Sequence, residues 1–350
     1  MEFGAYLFLF RLMATSDQTP PPPAGLVDLA SARLGGIALL ANDEFFAEKE
    51  NLLKPGRGIF IPDKYTDHGK WMDGWESRRR RTPGNDWCVV QLGLRGIVKQ
   101  VDIDTNHFLG NHPPFASLDA FCAIGEISDL KQIAWRPILK KSPLNPGSQN
   151  LFAITSAESW THLRLNIFPD GGVARLRVYG IVVPDWSKLK TGEVIDLAAV
   201  ENGGVPLSCS DMFFSSMNNL IMPGRSENMG DGWETKRRRG PGYDWIVLKL
   251  GLPGVIRKIE VDTNHFKGNY PDTCSIEGCS VPGASTEQLS GDATRWSEIL
   301  PKTKLQADTR HFFERELVPI DNCTHIRLNI YPDGGVSRLR VWGVPVLPNE

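Results

Sequence analysis

Apolar and polar residues alternate in short runs along most of the chain, which is the pattern of strands with one buried face. Residues 163–167 read Leu-Arg-Leu-Asn-Ile and residues 176–178 read Leu-Arg-Val. Residues 87–92 and 97–103 are β-rich and predict two strands joined by a glycine-containing turn. The best candidate for a short helix is residues 43–53. Many short strands with frequent Gly and Pro predict an all-β fold.

The same pattern occurs twice along the chain. Residues 73–87 return as 231–245, with eleven of fifteen positions identical at an offset of 158. Residues 164–172 return as 327–335. A repeat of this length is a whole domain, because solenoid units span only about 20–50 residues. The sequence therefore predicts two tandem antiparallel jelly-roll β-sandwich domains.

The domain limits follow from tracing the repeat to its ends. We predict a disordered tail, a first jelly-roll repeat, a linker and a second repeat, at residues 1–25, 26–184, 185–193 and 194–347. The first repeat has about ten extra residues near 59–70, which predicts a surface loop. The apolar run near the N-terminus is short and lacks the features of a signal peptide, and Met1 or Met13 could be the start.

Composition excludes several classes of function. The chain has 350 residues, with 39 basic and 41 acidic side chains, so its net charge of −2 gives no general attraction for nucleic acid or an anionic membrane. No apolar run is long enough to span a bilayer as a helix. Six cysteines without a Cys-x-x-Cys spacing predict reduced core thiols in a cytoplasmic protein.

A cluster of basic residues stands in each repeat, at 78–81 and 236–239, within predicted loops. Four adjacent cations repel one another unless carboxylates or a bound anion balance them. Three interpretations stay open: a solvated charge run, a structural network with Glu76 and Asp86, and a site for an anionic ligand. Arginine suits the last, because its planar guanidinium matches two carboxylate oxygens.

A second block, Asp-Thr-Asn-His, occupies residues 104–107 and returns at 262–265, where a predicted strand ends. An imidazole beside a carboxylate can carry a proton near neutral pH, although a structural histidine is equally compatible. A metal site is disfavoured, because no second histidine stands at ligand spacing. A third block, Pro-Asp-Gly-Gly at 169–172, predicts a hairpin turn. No nucleophile elbow, phosphate loop or dinucleotide fingerprint is present.

These blocks together resemble the allantoicase family from Gly35 to Gly343. The resemblance rests on residues 70–76, 79–81, 86–87, 104–108 and 164–172 and on their tandem repetition. It implies two jelly-roll domains related to galactose-binding modules and hydrolysis of allantoate to ureidoglycolate and urea. It also implies a homo-oligomer. The lack of cofactor-binding motifs predicts no cofactor, while dependence on a divalent metal stays open.

The chemistry of allantoate suits the repeated residues. Its carboxylate would bind arginine, and its ureido N–H groups would bind carboxylate or amide oxygens. We predict proton transfer by four residues: His107, Asp104, His265 and Asp262. Substrate binding is predicted for Trp75, Glu76, Arg79, Arg80, Arg81, Asn106, Trp233, Glu234, Arg237, Arg238, Arg239, Asn264, Arg177 and Arg340. A non-catalytic module for anions or sugars is the alternative, and the number of sites per chain stays open.

Overall fold

The computed structural model describes residues 22–123, 133–290 and 294–347. It divides into two compact units, one formed by Asp28–Gly180 and the other by Pro23–Val27 with the chain from Ile181 onward. Most of the predicted tail lies outside the described residues, and the predicted domain limits stay predictions. Among the described residues, no helix is long and apolar enough to cross a membrane.

The regular secondary structure of each unit is almost entirely β-strand. The strands of the first unit are β1 (Val27–Asp28), β2 (Ile37–Ala41), β3 (Tyr65–Thr66), β4 (Gly69–Lys70), β5 (Trp75–Glu76), β6 (Asp86–Asp104), β7 (Phe115–Phe121), β8 (Arg136–Pro143), β9 (Leu151–Ala153), β10 (Ser159–Phe168), β11 (Gly172–Val173) and β12 (Arg175–Val182). Its 3-10 turns are Ala32–Leu34 and Lys49–Leu53.

The second unit repeats this order of elements. Its strands are β13 (Ile195–Asp196), β14 (Val205–Cys209), β15 (Trp233–Glu234), β16 (Asp244–Asp262), β17 (Thr273–Cys279), β18 (Ser297–Lys304), β19 (Arg310–Phe313), β20 (Cys323–Tyr331), β21 (Gly335–Val336) and β22 (Arg338–Pro345). Its helical segments are 3-10 turns at Trp186–Lys188, Val200–Asn202, Met217–Ile221 and Met229–Asp231, and a short α1 at Thr286–Ser290.

A single long strand organises each unit. The first part of β6 pairs with β2 and β10, and β10 continues the layer to β7 and β8. The last part of β6 pairs with β12 and β9. Strand β16 does the same in the second unit. The prediction of two antiparallel jelly-roll sandwiches is confirmed, with apolar side chains such as Leu163, Leu165 and Ile167 completely buried.

The prediction of two strands at 87–92 and 97–103 is wrong, because β6 runs unbroken through the glycines between them. A side chain at Gly93 would place its Cβ 2.4 Å from the carbonyl oxygen of Leu34. The Gly93 N–H donates to the carbonyl of Leu29 at 2.8 Å. Glycine is therefore needed for close backbone approach, not for a turn.

Two further local predictions need correction. Only Lys49–Leu53 of the predicted helix at 43–53 is helical, and it is a 3-10 turn. The block at 169–172 does not close a hairpin, because β10 and β12 each pair with β6 and not with each other. It is instead the turn that carries the chain between layers. The extra loop at 59–70 lies at the surface and contains the exposed ribbon of β3 and β4.

All six cysteines lie among the described residues and are unpaired, and four of them are buried. Burial raises the pKa of Cys274 and Cys323 to about 12 and that of Cys279 to about 11. A thiol of raised pKa carries little of the reactive thiolate near neutral pH. These three buried cysteines are therefore packing residues and not candidate nucleophiles.

Candidate functional site

The three repeated blocks lie side by side in each unit. The Ser77 N–H donates to the Gly171 carbonyl at 3.2 Å, which joins the first block to the third. The Gly172 N–H donates to the Asn111 carbonyl at 2.8 Å, which joins the third block to the loop after the second. The second unit makes the equivalent bonds, between Thr235 and Gly334 and between Gly335 and Asn269. Motifs far apart in sequence therefore form one surface.

A buried aromatic ring fixes this arrangement. A Cβ on Gly172 would lie 1.9 Å from the ring of Phe108, which is completely buried. Gly335 has the same relation to Phe266. Only glycine lets the backbone approach the ring this closely, so both copies keep it for packing.

The basic cluster divides into paired and unpaired residues. Arg78 forms an ion pair with Asp43 at 2.7 Å, and Arg80 forms one with the buried Asp86 at 2.6 Å. Since Asp43 and Asp86 belong to the loop and strand beside the cluster, these pairs hold it against the sandwich. The second unit repeats the pattern, because Lys236 forms an ion pair with Asp211 and Arg238 forms one with Asp244.

Arg79 and Arg81 alternate with the paired residues. Both are exposed, and neither has an acidic partner among the residues that the structure describes. Arg237 and Arg239 stand in the same situation. The structural-network interpretation therefore applies to every second residue, and the others keep their charge for a ligand or for water.

A cleft of about 360 Å³ lies beside Arg79, and we call it the Arg79 cleft. Its volume falls in the range of small-molecule sites. Its lining consists of Glu76, Ser77, Arg79, Arg80, Gly110, Asn111, His112, Pro114, Pro169, Asp170 and Gly171.

Glu76 is one of the two carboxyl groups in this cleft. The Asn111 amide donates to its Oε1 at 2.7 Å. Desolvation raises the pKa of Glu76 and outweighs the opposing effect of this hydrogen bond. Glu76 therefore keeps its proton to higher pH than an ordinary glutamate, which suits a proton donor.

Two further polar groups complete the cleft. Asp170 accepts the backbone N–H of Arg80 at 2.8 Å, which orients its carboxylate. The Nδ1 atom of His112 is shielded from solvent and has no hydrogen-bond partner. The cleft thus combines a cation, a protonatable acid, an imidazole and an acceptor, which are the groups that acid–base chemistry on an anion requires.

The second repeated block, residues 104–107, lies at the end of β6, and we call it the Asp104 rim. Its polar side chains serve a local structural role. Asp104 is 2% exposed and accepts two bonds from Arg57, at 2.8 and 3.0 Å. His107 adopts a left-handed φ of 67°, and its Nε2 lies 3.0 Å from the carbonyl of Gly58. Because a carbonyl only accepts, this Nε2 carries the proton. The Asn106 amide donates to the same carbonyl at 2.8 Å. These bonds attach the loop at 57–58 to the end of β6.

The second unit has a similar rim with one looser contact. His265 and Asn264 bond to Ser226, while Asp262 lies 3.7 Å from Arg225. The rim residues thus have a structural explanation in both copies. Proton transfer by His107, Asp104, His265 and Asp262 stays a prediction.

Other predicted binding residues lie inside the protein. Trp75 is completely buried, and its indole donates to the Asp43 carbonyl at 2.8 Å. Arg177 is 4% exposed and donates to the carbonyls of Lys54 and Gly56, each at 2.6 Å. The corresponding residues Trp233 and Arg340 make the same kinds of bond. Burial explains why both copies keep these residues, and their contact with a substrate stays a prediction.

Asn111, His112 and Asp170 were missed as site residues. Asn111 and Asp170 have identical counterparts in Asn269 and Asp333, so repetition was a usable signal. His112 aligns with Tyr270 in the second repeat, so identity between the repeats does not identify it. Among the described residues, no group of three or more His, Cys, Asp or Glu side chains could hold a metal ion.

Comparison with known proteins now decides the family. The model of the allantoicase repeat matches residues 27–183 and again residues 195–346. The chain belongs to the allantoicase family. It is 52% identical over 317 residues to probable allantoicase 1 of Burkholderia mallei, covering 91% of this chain and 94% of that protein. It is 50% identical over 323 residues to a probable allantoicase of Pseudomonas aeruginosa, covering 92% and 97%.

A solved allantoicase structure has the same fold. The crystal structure of allantoicase from Saccharomyces cerevisiae matches with a TM-score of 0.78 and 39% identity. The match covers 91% of this chain and 93% of that one. The likeness therefore extends over both repeats, and the chain is an allantoicase-family enzyme.

Proposed function

We propose that the protein hydrolyses allantoate to ureidoglycolate and urea, and that the Arg79 cleft of the first repeat is the reaction site. The observation that carries the proposal is membership of the allantoicase family over both repeats. The cleft is favoured because it holds the unpaired Arg79 beside Glu76, an acid that burial keeps protonated to higher pH.

Binding would begin at Arg79, whose guanidinium would hold the carboxylate of allantoate through two parallel N–H bonds. The carbon next to that carboxylate carries both ureido groups. Their N–H groups would donate to Asp170, whose orientation is set by the backbone of Arg80. These contacts would place one ureido group beside Glu76 and the other beside His112.

The chemical step would be a proton-assisted elimination followed by hydration. Glu76 would give its proton to the nitrogen of the departing ureido group as the C–N bond breaks and urea leaves. His112 would take the N–H proton of the remaining ureido group, and that electron pair would form a C=N bond. Water would then add across this bond, with hydroxide to carbon and a proton to nitrogen, to give ureidoglycolate. Such proton transfers typically contribute about 10²–10⁴ in rate.

The test compares two histidines in the full-length protein, with release of urea from allantoate as the assay. His112→Ala should lower turnover at least about a hundredfold. His107→Asn should retain most activity, because asparagine accepts a left-handed backbone and its amide can still donate a hydrogen bond. Thermal unfolding of both variants would check that the fold is intact.

Each outcome has a distinct meaning. Absence of urea release by the wild-type protein would refute the function, and binding without turnover would favour the anion- or sugar-binding alternative. Loss of turnover in His107→Asn, with full turnover in His112→Ala, would move the chemistry to the Asp104 rim. We keep a cytoplasmic location and a homo-oligomer as predictions.

A further inference from the structure

The second repeat makes the contacts that orient the polar residues of the Arg79 cleft, and we call the equivalent surface the second cleft. Asn269 donates to the Oε1 of Glu234, as Asn111 does to Glu76. Asp333 accepts the backbone N–H of Arg238 at 2.8 Å, as Asp170 does from Arg80. Every contact that orients an acceptor or an acid in the first cleft therefore has a counterpart in the second.

The charge pattern is also repeated. Arg237 is exposed and has no acidic partner among the described parts of the chain, as is true of Arg79. Its neighbour Arg238 is held by Asp244. An unpaired arginine beside three further basic residues is electrostatically costly, and a bound carboxylate would relieve that cost.

Three lining residues of the Arg79 cleft differ in the second repeat, where Thr235, Tyr270 and Asp272 replace Ser77, His112 and Pro114. Asp272 is held by an ion pair with Lys304, so the exchange of His112 is the one that removes a group of the proposed reaction. Tyr270 is half-buried at the position that His112 occupies in the first repeat. An imidazole can accept a proton near neutral pH, whereas a phenol acts there mainly as a hydrogen-bond donor. Burial raises the pKa of Glu234 as it does that of Glu76, so the acid is retained and the base is lost.

We propose that the second cleft, formed by Glu234, Arg237, Asn269, Tyr270 and Asp333, binds the same small ureido carboxylate without converting it. Each chain then has one converting cleft and one binding cleft. This inference rests on the proposed function, since the ligand is taken from it. It goes beyond that function because it assigns unequal roles to two sites that share most of their residues.

The test uses His112→Tyr in the full-length chain, which gives the first cleft the residue of the second. Turnover should fall at least about a hundredfold, and calorimetric titration with allantoate should give two sites per chain. Adding Arg237→Ala should weaken one of the two sites about tenfold, and adding Arg79→Ala in its place should weaken the other about tenfold.

The possible results distinguish failure of this inference from failure of the proposed function. A single site, or none, in His112→Tyr would overturn the inference while wild-type urea release still supported the proposed function. Full turnover in His112→Tyr would also overturn it, because tyrosine would then suffice for conversion. Two sites that both keep their affinity after Arg237→Ala would likewise refute the assignment of the second cleft.

Discussion

Replacing Glu76 by glutamine removes one proton and little else from the Arg79 cleft. The glutamine carbonyl can occupy the place of Oε1 and accept the Asn111 amide, which now donates at 2.7 Å. The loss is therefore that of a general acid, about 10²–10⁴ in turnover. At about 1.4 kcal/mol for each factor of ten, this is roughly 3–5 kcal/mol of transition-state free energy. Glu234→Gln is the matched control, because the same hydrogen bond occurs there.

The assay is the initial rate of urea release across a range of pH. Because the pKa of Glu76 is raised, the wild-type rate should persist above the ordinary glutamate range and fall as the proton is lost. Above that pKa the folded state bears the cost of a desolvated charge, so Glu76→Gln should melt no lower than wild type. Turnover in Glu76→Gln within twofold of wild type would refute the acid role. An equal loss in both variants would refute the preference for the first cleft.

Two further changes test the cluster and the framework around it. Arg79→Ala should raise KM about tenfold, near the lower end of the roughly 1.5–3 kcal/mol of a charge-assisted hydrogen bond, because Arg79 is exposed. An equal effect from Arg81→Ala, which lies outside the cleft lining, would contradict the assignment of substrate binding to the Arg79 cleft. Asp73→Asn should cost about 3–5 kcal/mol in denaturant unfolding, because it leaves the 3% exposed Arg175 without its charge partner at 2.7 Å. A loss below 1 kcal/mol would show that the buried arginine is satisfied by backbone carbonyls alone.

Sequence predicted the strands well and their connections less well. Alternation of apolar and polar residues is a local property, so β10 and β12 could be located from this pattern alone. The continuity of β6 depends on a contact of Gly93 with the Leu34 carbonyl, which is distant in sequence. A glycine that permits close approach and a glycine that permits a turn look the same in sequence.

The site was also predicted only in part, because some of its contacts join residues that are distant in sequence. Glu76 and Arg79 were found because both repeats keep them. The division of the cluster into paired and unpaired arginines depends on Asp43, which lies 35 residues from Arg78. His112 was not predicted as a site residue, because the prediction relied on residues that are identical in both repeats and Tyr270 stands at the equivalent position.

The long strand β6 also limits how such a protein could have arisen. Because β6 contributes to both layers, and β16 does so in the second unit, neither layer can be removed without opening the other. Half a repeat would expose an apolar face and could not persist on its own. The segment copied by gene duplication must therefore have been a complete sandwich, with its acid, its arginine and its glycine-packed aromatic ring already in place. On the proposed division of roles, the exchange of histidine and tyrosine at one lining position then separated conversion from binding.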